Sequence, residues 1–295
     1  MERRHLTYFL AVADSGSISA AARRLHLAQP SVSQGVRELE RELRTPLLTR
    51  GRTAALTPAG RALIGPARRA LRAFDEVRDA VGMIDELATG ILDIAVAPQL
   101  AVDPAVPLVA SFRERYPGVR VRVHEADPGV EGFEVLRRAE AELLVHGHPA
   151  PYPKHRAVRL RCAENFVVLP PGTDGLPEGP MPLEELVCRP LVLGLAGDSA
   201  VRVWFAAELA AHELPPVQAV VEIAHRDAIV PLVLAGAGAA LLTEPEARAA
   251  AKLGAVIRPL AVSVPQTCHL FHRGGLLSPA AQAFVEMAAE QNQAD

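Results

Sequence analysis

The feature that most constrains the fold is a helical pattern at residues 28–44, AQPSVSQGVRELERELR, which follows two shorter helical patterns at 3–14 and 18–25. Ser17 is well suited to cap the second helix, and only a short turn separates that helix from the third. The apolar residues of the third helix form one narrow stripe that needs the first two helices as packing partners. This stripe consists of Val32, Val36, Leu39 and Leu43. The sequence therefore predicts a helix-turn-helix arrangement.

The opposite face of the third helix carries small and hydrogen-bonding side chains near its N-terminus and cations further along. Small residues allow close approach to base edges, and the N-terminus of a helix favours nearby phosphates. We interpret Gly35 as removing bulk between these groups, at a cost of about 1 kcal/mol in helix propensity. The alternative is an ordinary surface helix. The residues of this helix predicted to contact DNA are Gln29, Pro30, Ser31, Ser33, Gln34, Arg37 and Arg41.

Charge is spread unevenly along the chain. Residues 1–57 carry nine arginines and five acidic side chains, a net charge of +4, whereas the whole chain has a net charge of −3. A basic head on an acidic body is typical of a polyanion-binding module joined to a second unit. Residues 45–60, TPLLTRGRTAALTPAG, read as strand, tight turn and strand. Arg50 and Arg52 at the tip of this predicted wing are expected to reach phosphate or the adjacent minor groove.

Residues 1–65 resemble the DNA-binding domain of LysR-type transcriptional regulators. The resemblance is carried by AA-x-x-L-x-x-x-QPSVS-x-x-V-x-x-LE-x-x-L-x-x-PLL-x-R, followed by LTPAG. Three departures concern the wing and the base preference. Leu48 replaces the usual Phe, the wing between Arg50 and Leu56 is one residue shorter, and Gln34-Gly35 stands where the family often has longer side chains.

A second long helical pattern opens at Thr57-Pro58 and runs to about residue 88. Its apolar residues alternate at spacings of four and three, which is a heptad seam. We expect this helix to form a homodimer, as the resemblance also implies, and the protein to act as a homodimer or as a homotetramer. The alternative is a helix packed on its own chain. Gly65-Pro66 predicts a bend or the true start of the helix. The seam consists of Leu63, Ala67, Ala70, Phe74, Val77, Val81, Ile84 and Ala88.

From Gly90 onward the pattern alternates between strands and helices, which predicts a parallel α/β sheet. The predicted strands are 91–97, 119–125, 142–146, 165–169, 190–194, 217–223 and 239–242. The predicted helices are 104–115, 130–139, 183–187, 200–211, 227–235 and the tail SPAAQAFVEMAAE.

This body is similar to the effector domain of LysR-type regulators, whose fold resembles that of periplasmic binding proteins. The supporting stretches are GILDIAVAP, FRERYPGVRVRVHE, AENFVVLPPG, PLEELVCRPLVLG, LVLAGAGAALL and SPAAQAFVEMA. Two departures are Ala139-Glu140-Ala141-Glu142 in place of Gly-Glu-Leu-Asp, and Pro98-Gln99 in place of hydroxyl residues.

The predicted fold class is α/β overall, with an N-terminal winged helix-turn-helix, a linker helix and two α/β subdomains. The resemblance places the DNA-binding domain at 1–58, the dimerisation helix at 59–88, effector subdomain I at 89–161 plus 265–295, and effector subdomain II at 162–264.

Ligands of α/β sheets bind beyond the carboxyl ends of the strands. By position, the predicted effector-binding residues are Gln99, Asp127, His146, Ser199 and Thr243. Ser199 could also cap the following helix, where free N–H groups favour an anion. Asp127 could be only a turn residue, and His146 only the end of a strand. The missing hydroxyls suggest an effector other than a simple aromatic or dicarboxylic acid.

Three widely spaced cysteines, without a metal-binding spacing, predict reduced thiols and no metal or cofactor. A redox role for Cys162 and Cys188 is a weaker alternative. No signal peptide and no apolar run of membrane-spanning length is present, so we expect a cytoplasmic protein without membrane contact. Gly236-Ala237-Gly238 lacks the third glycine of a dinucleotide loop, and Ser199 lies in no GxSxG elbow, so no enzyme activity is predicted.

The sequence thus predicts a sequence-specific LysR-type regulator, controlled by a small molecule bound between the two C-terminal subdomains. The expected partners are double-stranded promoter DNA, an unknown small-molecule effector, a second copy of the chain and, for an activator, RNA polymerase. The alternative is a solute-binding module or enzyme whose N-terminal helices mediate assembly.

Overall fold

A computed structural model describes residues 1–49, 55–82, 90–127, 129–176, 179–194, 200–217, 219–262, 268–275 and 277–293. The N-terminal helical unit contains α1 (Arg3–Ser15), α2 (Ile18–Leu25) and α3 (Gln29–Leu43), so the three helices predicted from the sequence are confirmed. Ser17 caps α2 by accepting a hydrogen bond from the Ala20 N–H at 3.0 Å.

The core of the helical unit is formed where α3 crosses α1 and α2. Val32, Val36 and Leu39 are buried there with Phe9, as the apolar stripe predicts. Leu43 was expected in the same stripe, but it is the last residue of α3 and 39 % exposed. α3 begins at Gln29, so Pro30 occupies the second helical position rather than the first.

Helix α4 (Pro58–Gly82) is continuous through Pro66, so the predicted start at Gly65-Pro66 is wrong. Thr57 caps it instead, because its Oγ1 accepts the Gly60 N–H at 3.0 Å. Gly60 lies against the segment that follows α3, since a Cβ there would come 2.2 Å from the Leu47 carbonyl oxygen.

The first part of the heptad seam packs on its own chain, contrary to the expectation that only a partner could bury it. Ala67 is 1 % exposed within the core of the helical unit, and Leu63, Ala70 and Leu71 pack against that core. Phe74 is 48 % exposed. The side chains of Val77 and Val81, together with Ile84 and Ala88, lie outside the described residues.

The first α/β unit is built on a five-stranded mixed sheet. Its strands are β1 (Gly90–Val96), β2 (Val119–Glu125), β3 (Leu143–His146), β4 (His155–Leu160) and β10 (Cys268–Arg273), in the order β2-β1-β3-β10-β4. β1 is parallel to β2 and β3, whereas β10 is antiparallel to β3 and β4. β4 and β10 were not predicted.

Helices cover both faces of this sheet. α5 (Val106–Arg115) and α11 (Pro279–Gln293) enclose the main core on one face, where Phe112 and Phe284 lie 5.2 Å apart between ring centroids. On the other face lies a short 3-10 turn (Val130–Phe133) that continues into α6 (Glu134–Arg137). The helix predicted at 130–139 is therefore shorter and partly 3-10, and the helix predicted at 104–115 begins only at Val106.

The second α/β unit holds two smaller sheets. β5 (Asn165–Leu169) lies between β8 (Ala240–Thr243) and β9 (Val256–Pro259), and β6 (Leu191–Gly194) is parallel to β7 (Ala219–Ile223). Its helices are α7 (Leu183–Val187), α8 (Ala200–Ala211), α9 (Ile229–Leu234) and α10 (Glu244–Lys252). β5 is antiparallel to both neighbours, so the prediction of a parallel sheet is wrong for this strand.

The chain passes between the two α/β units twice. It leaves the five-stranded sheet after Leu160, enters the three-stranded sheet at Asn165, and returns to the five-stranded sheet with β10, which starts at Cys268. The residues of the second unit are thus an insertion between two neighbouring strands of the first. None of the helices in the described ranges is long and apolar enough to cross a membrane.

Candidate nucleic-acid interface and effector site

The outer face of α3 presents most of the side chains predicted to contact DNA. Ser33 is half-buried, and the others are exposed. Arg50 and Arg52, at the predicted tip of the wing, lie outside the described residues. The exposed members of the set are Gln29, Pro30, Ser31, Gln34, Arg37 and Arg41.

The two glutamines on this face already have hydrogen-bond partners. Ser19 Oγ donates to Gln29 Oε1 at 3.2 Å, and Gln34 Nε2 donates to Glu38 Oε1 at 2.9 Å. The hydrogen bond from Gln34 lowers the pKa of Glu38, whose other oxygen lies 3.0 Å from His5 Nε2. Glu38 therefore holds the amide of Gln34 along the helix, and a base edge has to compete with this carboxylate for the amide.

The two arginines in the second half of α3 are open to solvent. Within the described part of the chain, neither Arg37 nor Arg41 forms a hydrogen bond or close ion pair. Both guanidinium groups are thus available to phosphate oxygens, with which arginine forms strong charge-assisted hydrogen bonds.

Gly35 does not belong to this outer face. It is buried, and a Cβ at this position would lie 2.5 Å from Tyr8 Cδ2 and 3.0 Å from Tyr8 Cε2. The interpretation of Gly35 as a gap on the DNA-facing side is therefore wrong. The glycine lets α3 approach α1.

Glu40 fixes the base of the wing to α3, a role that the sequence reasoning missed. Its Oε1 accepts the N–H groups of Leu47 at 2.7 Å and Leu48 at 3.0 Å. Leu48 pairs with Leu56 in an antiparallel bridge, which confirms that the two sides of the wing meet there. In the sequence, the only indication of this role is that Glu40 follows the buried Leu39. The partners of Glu40 are backbone N–H groups, which come near it only in the folded chain.

Of the predicted effector residues, the structure brings Asp127 and His146 into direct contact. His146 Nε2 lies 3.0 Å from the Asp127 carbonyl oxygen, and His146 Nδ1 accepts the His148 N–H at 3.1 Å. Because Nδ1 uses its lone pair, Nε2 carries the proton and donates it, so the ring is neutral. Burial lowers the pKa of His146, in agreement with this state.

His146 has no exposed surface in this structure. Its ring packs edge-on against Phe133, with 5.0 Å between centroids. Gly132 is required beside it, since a Cβ there would lie 2.2 Å from the Asp127 carbonyl oxygen. His146 thus joins the end of β3 to the loop after β2, while the Asp127 carboxylate is exposed and accepts the Gly129 N–H at 2.8 Å.

Thr243 is buried and forms the capping box of α10. Its Oγ1 donates to Glu246 Oε2 at 2.8 Å, and the same oxygen accepts from Arg226 Nη2 at 2.9 Å. Sequence reasoning missed Glu246 and Arg226, although the spacing Thr-x-x-Glu was a readable capping signal. Gln99 lies half-buried in the 3-10 turn Pro98–Leu100 after β1, and Ser199 is outside the described residues.

Comparison with protein families accounts for both parts of the chain. Residues 3–61 match the family profile described as bacterial regulatory helix-turn-helix protein, lysR family, and residues 85–293 match the LysR substrate binding domain. The chain belongs to the LysR family. It is a DNA-binding transcriptional regulator with an effector-binding domain.

Curated LysR-type relatives align over most of the chain or over half of it. The transcriptional regulator IlvR of Caulobacter vibrioides is 30% identical over 82% of this chain and 82% of that protein. The nitrogen assimilation regulatory protein nac of Escherichia coli K12 is 32% identical, over 50% of this chain and 49% of that protein.

Solved LysR-type structures share the fold over the full length. CbnR in complex with its target DNA has a TM-score of 0.70 at 21% identity and covers 98% of this chain and 99% of its own. A full-length OxyR variant from Pseudomonas aeruginosa has a TM-score of 0.72 at 20% identity, and the match covers 100% of this chain and 95% of the OxyR chain.

In this LysR-type chain, Arg68 of α4 joins the helical unit to the first α/β unit. Its Nη2 lies 2.7 Å from Asp14 Oδ1 in α1, and its Nη1 lies 3.0 Å from Glu140 Oε1 in the turn before β3. Nη1 also donates to the Arg138 carbonyl at 3.4 Å. Glu140 belongs to the Ala139-Glu140-Ala141-Glu142 turn, where the sequence departs from the common family pattern.

The described residues contain no group of three or more His, Cys, Asp or Glu side chains placed to hold a metal ion. Gln34, His146 and Thr243 instead form hydrogen bonds with side-chain or backbone groups of the chain.

Proposed function

We propose that this LysR-type regulator reads double-stranded promoter DNA with the outer face of α3 and with Arg50 and Arg52 of the wing. The observation that carries this proposal is the exposure of Arg37 and Arg41, neither of which forms a hydrogen bond or close ion pair among the described residues. Small residues at the start of the same face, Pro30 and Ser31, leave room for base edges. Gln34 supplies the base-reading amide once it leaves Glu38.

Fluorescence anisotropy with a labelled duplex from the region upstream of its own gene tests this proposal. The affinity is expected to exceed that for a shuffled duplex and to fall steeply with salt concentration, because phosphate contacts release counterions. Equal affinity for both duplexes would show that the protein does not recognise this DNA sequence specifically. A salt-independent signal would remove the phosphate contacts.

We propose further that the protein acts as a homodimer, or as a homotetramer formed from two dimers. Phe74 supports this assembly, because it continues the seam of α4 beyond the part that packs on its own chain and is 48 % exposed. Sedimentation of Phe74→Glu is expected to show a smaller species than the wild type. Phe74→Leu, which keeps an apolar side chain, is the control.

The effector of this regulator is proposed to bind between the two α/β units, for which we propose the bounds 89–161 plus 265–295 and 162–264. Gln99 and Asp127 lie at the carboxyl ends of the parallel strands β1 and β2, where α/β proteins hold ligands. Gln99 is half-buried and has no hydrogen-bond partner among the described residues. Ser199 would complete the site from the second unit. His146 and Thr243, both buried, are proposed to act indirectly, through their contacts with Asp127 and Glu246.

A thermal-shift screen of metabolites with the full-length protein identifies the effector. A stabilising ligand is expected to lose its effect in Gln99→Ala and keep it in Gln282→Ala, a glutamine on α11. A shift that survives Gln99→Ala and Asp127→Ala would place the ligand elsewhere. The proposal includes a cytoplasmic location, no catalytic step and, for an activator, contact with RNA polymerase.

A further inference from the structure

Two thiols meet where the chain passes between the α/β units. Cys162 lies in the first passage, two residues after β4 ends, and Cys268 is the first residue of β10. In the antiparallel pairing of these strands, Cys268 is opposite Leu160. Cys162 is two residues further along the chain than Leu160, so it lies close to Cys268. The structure therefore pairs Cys162 with Cys268, and not with Cys188, the residue considered from the sequence.

Burial confirms that the two side chains share one environment. Cys268 is 0 % exposed within the core of the first α/β unit, and Cys162 packs against the same core. The two thiols are close enough to share a hydrogen bond. Thiols in such contact need little backbone movement to satisfy the geometry of a disulfide.

The two cysteines differ in accessibility. Cys162 is half-buried, whereas Cys268 is fully buried. The hydrogen bond with Cys162 and, to a smaller extent, burial raise the pKa of the Cys268 thiol above its ordinary value. Cys268 therefore stays protonated at neutral pH, and Cys162 is the sulfur that an oxidant reaches first.

We propose that Cys162 and Cys268 form a reversible disulfide that joins the two passages between the α/β units. The oxidant is a peroxide. The Cys162 sulfur attacks one peroxide oxygen, the O–O bond breaks, water leaves after protonation, and Cys162 becomes a sulfenic acid. The Cys268 sulfur then attacks the Cys162 sulfur, the S–O bond breaks, and a second water leaves with the Cys268 proton. Hydrogen peroxide gains two electrons and two protons from the thiols, and a dithiol reductant reverses the reaction by exchange.

The disulfide would link two segments whose relative position sets the arrangement of the units. The first passage is already held to the first unit, because Asp103 Oδ2 accepts the Ala163 N–H at 2.6 Å. A covalent bond from the neighbouring Cys162 to β10 prevents the two passages from sliding past each other. Disulfide formation itself does not depend on the effector; only its consequence for regulation rests on the proposed function.

Peptide mapping of the full-length protein under non-reducing conditions tests the disulfide. After hydrogen peroxide treatment, a linked peptide containing Cys162 and Cys268 is expected, and it should disappear after reduction with dithiothreitol. Cys188→Ser, which removes the exposed third thiol, is expected to keep the link, and Cys162→Ser to lose it. Because Cys268→Ser changes the core, Cys162→Ser is the decisive variant, with its melting temperature confirming that it folds.

Sulfinic acid at Cys162 without a linked peptide, or only intermolecular links through Cys188, would overturn the proposal. To test the effect on regulation, promoter affinity is measured for the oxidised and the reduced protein, in wild type and in Cys162→Ser. A linked peptide with unchanged promoter binding would leave the disulfide in place and refute its regulatory effect. Absence of sequence-specific promoter binding by the reduced wild-type protein would instead contradict the proposed function, whether or not the disulfide forms.

Discussion

Gly35 of α3 lies against the ring of Tyr8 in α1, so closely that a Cβ on residue 35 would come within 2.5 Å of Tyr8 Cδ2. This contact sets the distance between the helix that faces DNA and the helix that supports it. The poor helix former in the middle of α3 is thus explained by packing on the buried side. The exposed side owes its small residues to Pro30, Ser31 and Ser33 alone.

Gly35→Ala is expected to destabilise the helical unit by about 1–3 kcal/mol, because the added methyl group has to displace the Tyr8 ring or the helix. Urea denaturation measures this change. Ser31→Ala, on the exposed side of the same helix, is the control and should change stability by less than about 0.5 kcal/mol. If Gly35→Ala kept the stability of the wild type and bound DNA more weakly, Gly35 would face the DNA and not Tyr8.

Gln34→Ala is expected to relax discrimination at one base position by about 1–3 kcal/mol, because a bidentate amide contact is lost. Binding to a set of duplexes that differ at single positions measures the change. Glu38→Gln serves as the comparison. It removes the carboxylate that competes with DNA for the Gln34 amide, and it leaves Gln34 itself unchanged. An equal loss on every duplex would limit Gln34 to a backbone contact.

Arg41→Ala is expected to weaken binding to all duplexes alike and to reduce the slope of log affinity against log salt by about 1. The measurement is anisotropy over a series of salt concentrations. Arg248→Ala makes the same change in charge on α10, within the second α/β unit, and should leave the slope unchanged. An unaltered slope for Arg41→Ala would remove this residue from the interface.

The contact between Arg68 and Asp14 is expected to contribute about 0.2–1 kcal/mol, since both groups retain some solvent exposure. A double-mutant cycle with Asp14→Asn and Arg68→Met measures the coupling by urea denaturation. The same cycle with Glu140→Gln separates the link to the first α/β unit from the link to α1. Strictly additive effects in both cycles would show that Arg68 joins neither element in solution.

Stability is expected to fall as the pH is lowered, in part through His146. Burial keeps the pKa of His146 below the value of 6.5 for an unperturbed histidine, so the unfolded chain binds the proton more readily than the folded chain. Its contribution is complete above 6.5 and is lost as the pH falls towards the folded pKa. The pKa values of His155 and His269 are also lowered by burial and act in the same direction.

Melting temperature as a function of pH tests this expectation in wild type and in His146→Gln. The variant should be less stable at neutral pH and should show a weaker pH dependence below 6.5. His225→Gln removes an exposed histidine and is the control. An unchanged pH profile in His146→Gln would mean that its protonation is not linked to folding.

The helical unit was predictable because its signals are local. The cap at Ser17, the apolar stripe of α3 and the short turn between the helices are all contained within about 30 residues. The error at Gly35 arose because a residue on the boundary between two faces is assigned only by its neighbour on another helix. Leu43 shows the same limit at the end of a helix.

The α/β units were predictable only where strand and helix alternate along the chain. β4 and β10 escaped prediction because they form by pairing residues more than 100 positions apart, such as Leu160 with Cys268. The contact of Arg68 with Glu140 likewise joins residues far apart in the sequence. The pairing of Cys162 with Cys268 has the same origin, since no spacing rule connects them.

The insertion of the second α/β unit between β4 and β10 has a mechanical consequence. Because these two strands are antiparallel neighbours, both connections to the inserted unit emerge side by side at one edge of the sheet. With two neighbouring points of attachment, rotation of the second unit about the line through those points is expected to be easier than rotation about other axes. A displacement of the second unit therefore acts on the ends of the same two strands, in addition to the contacts of α10 with residues Ala101–Ala105.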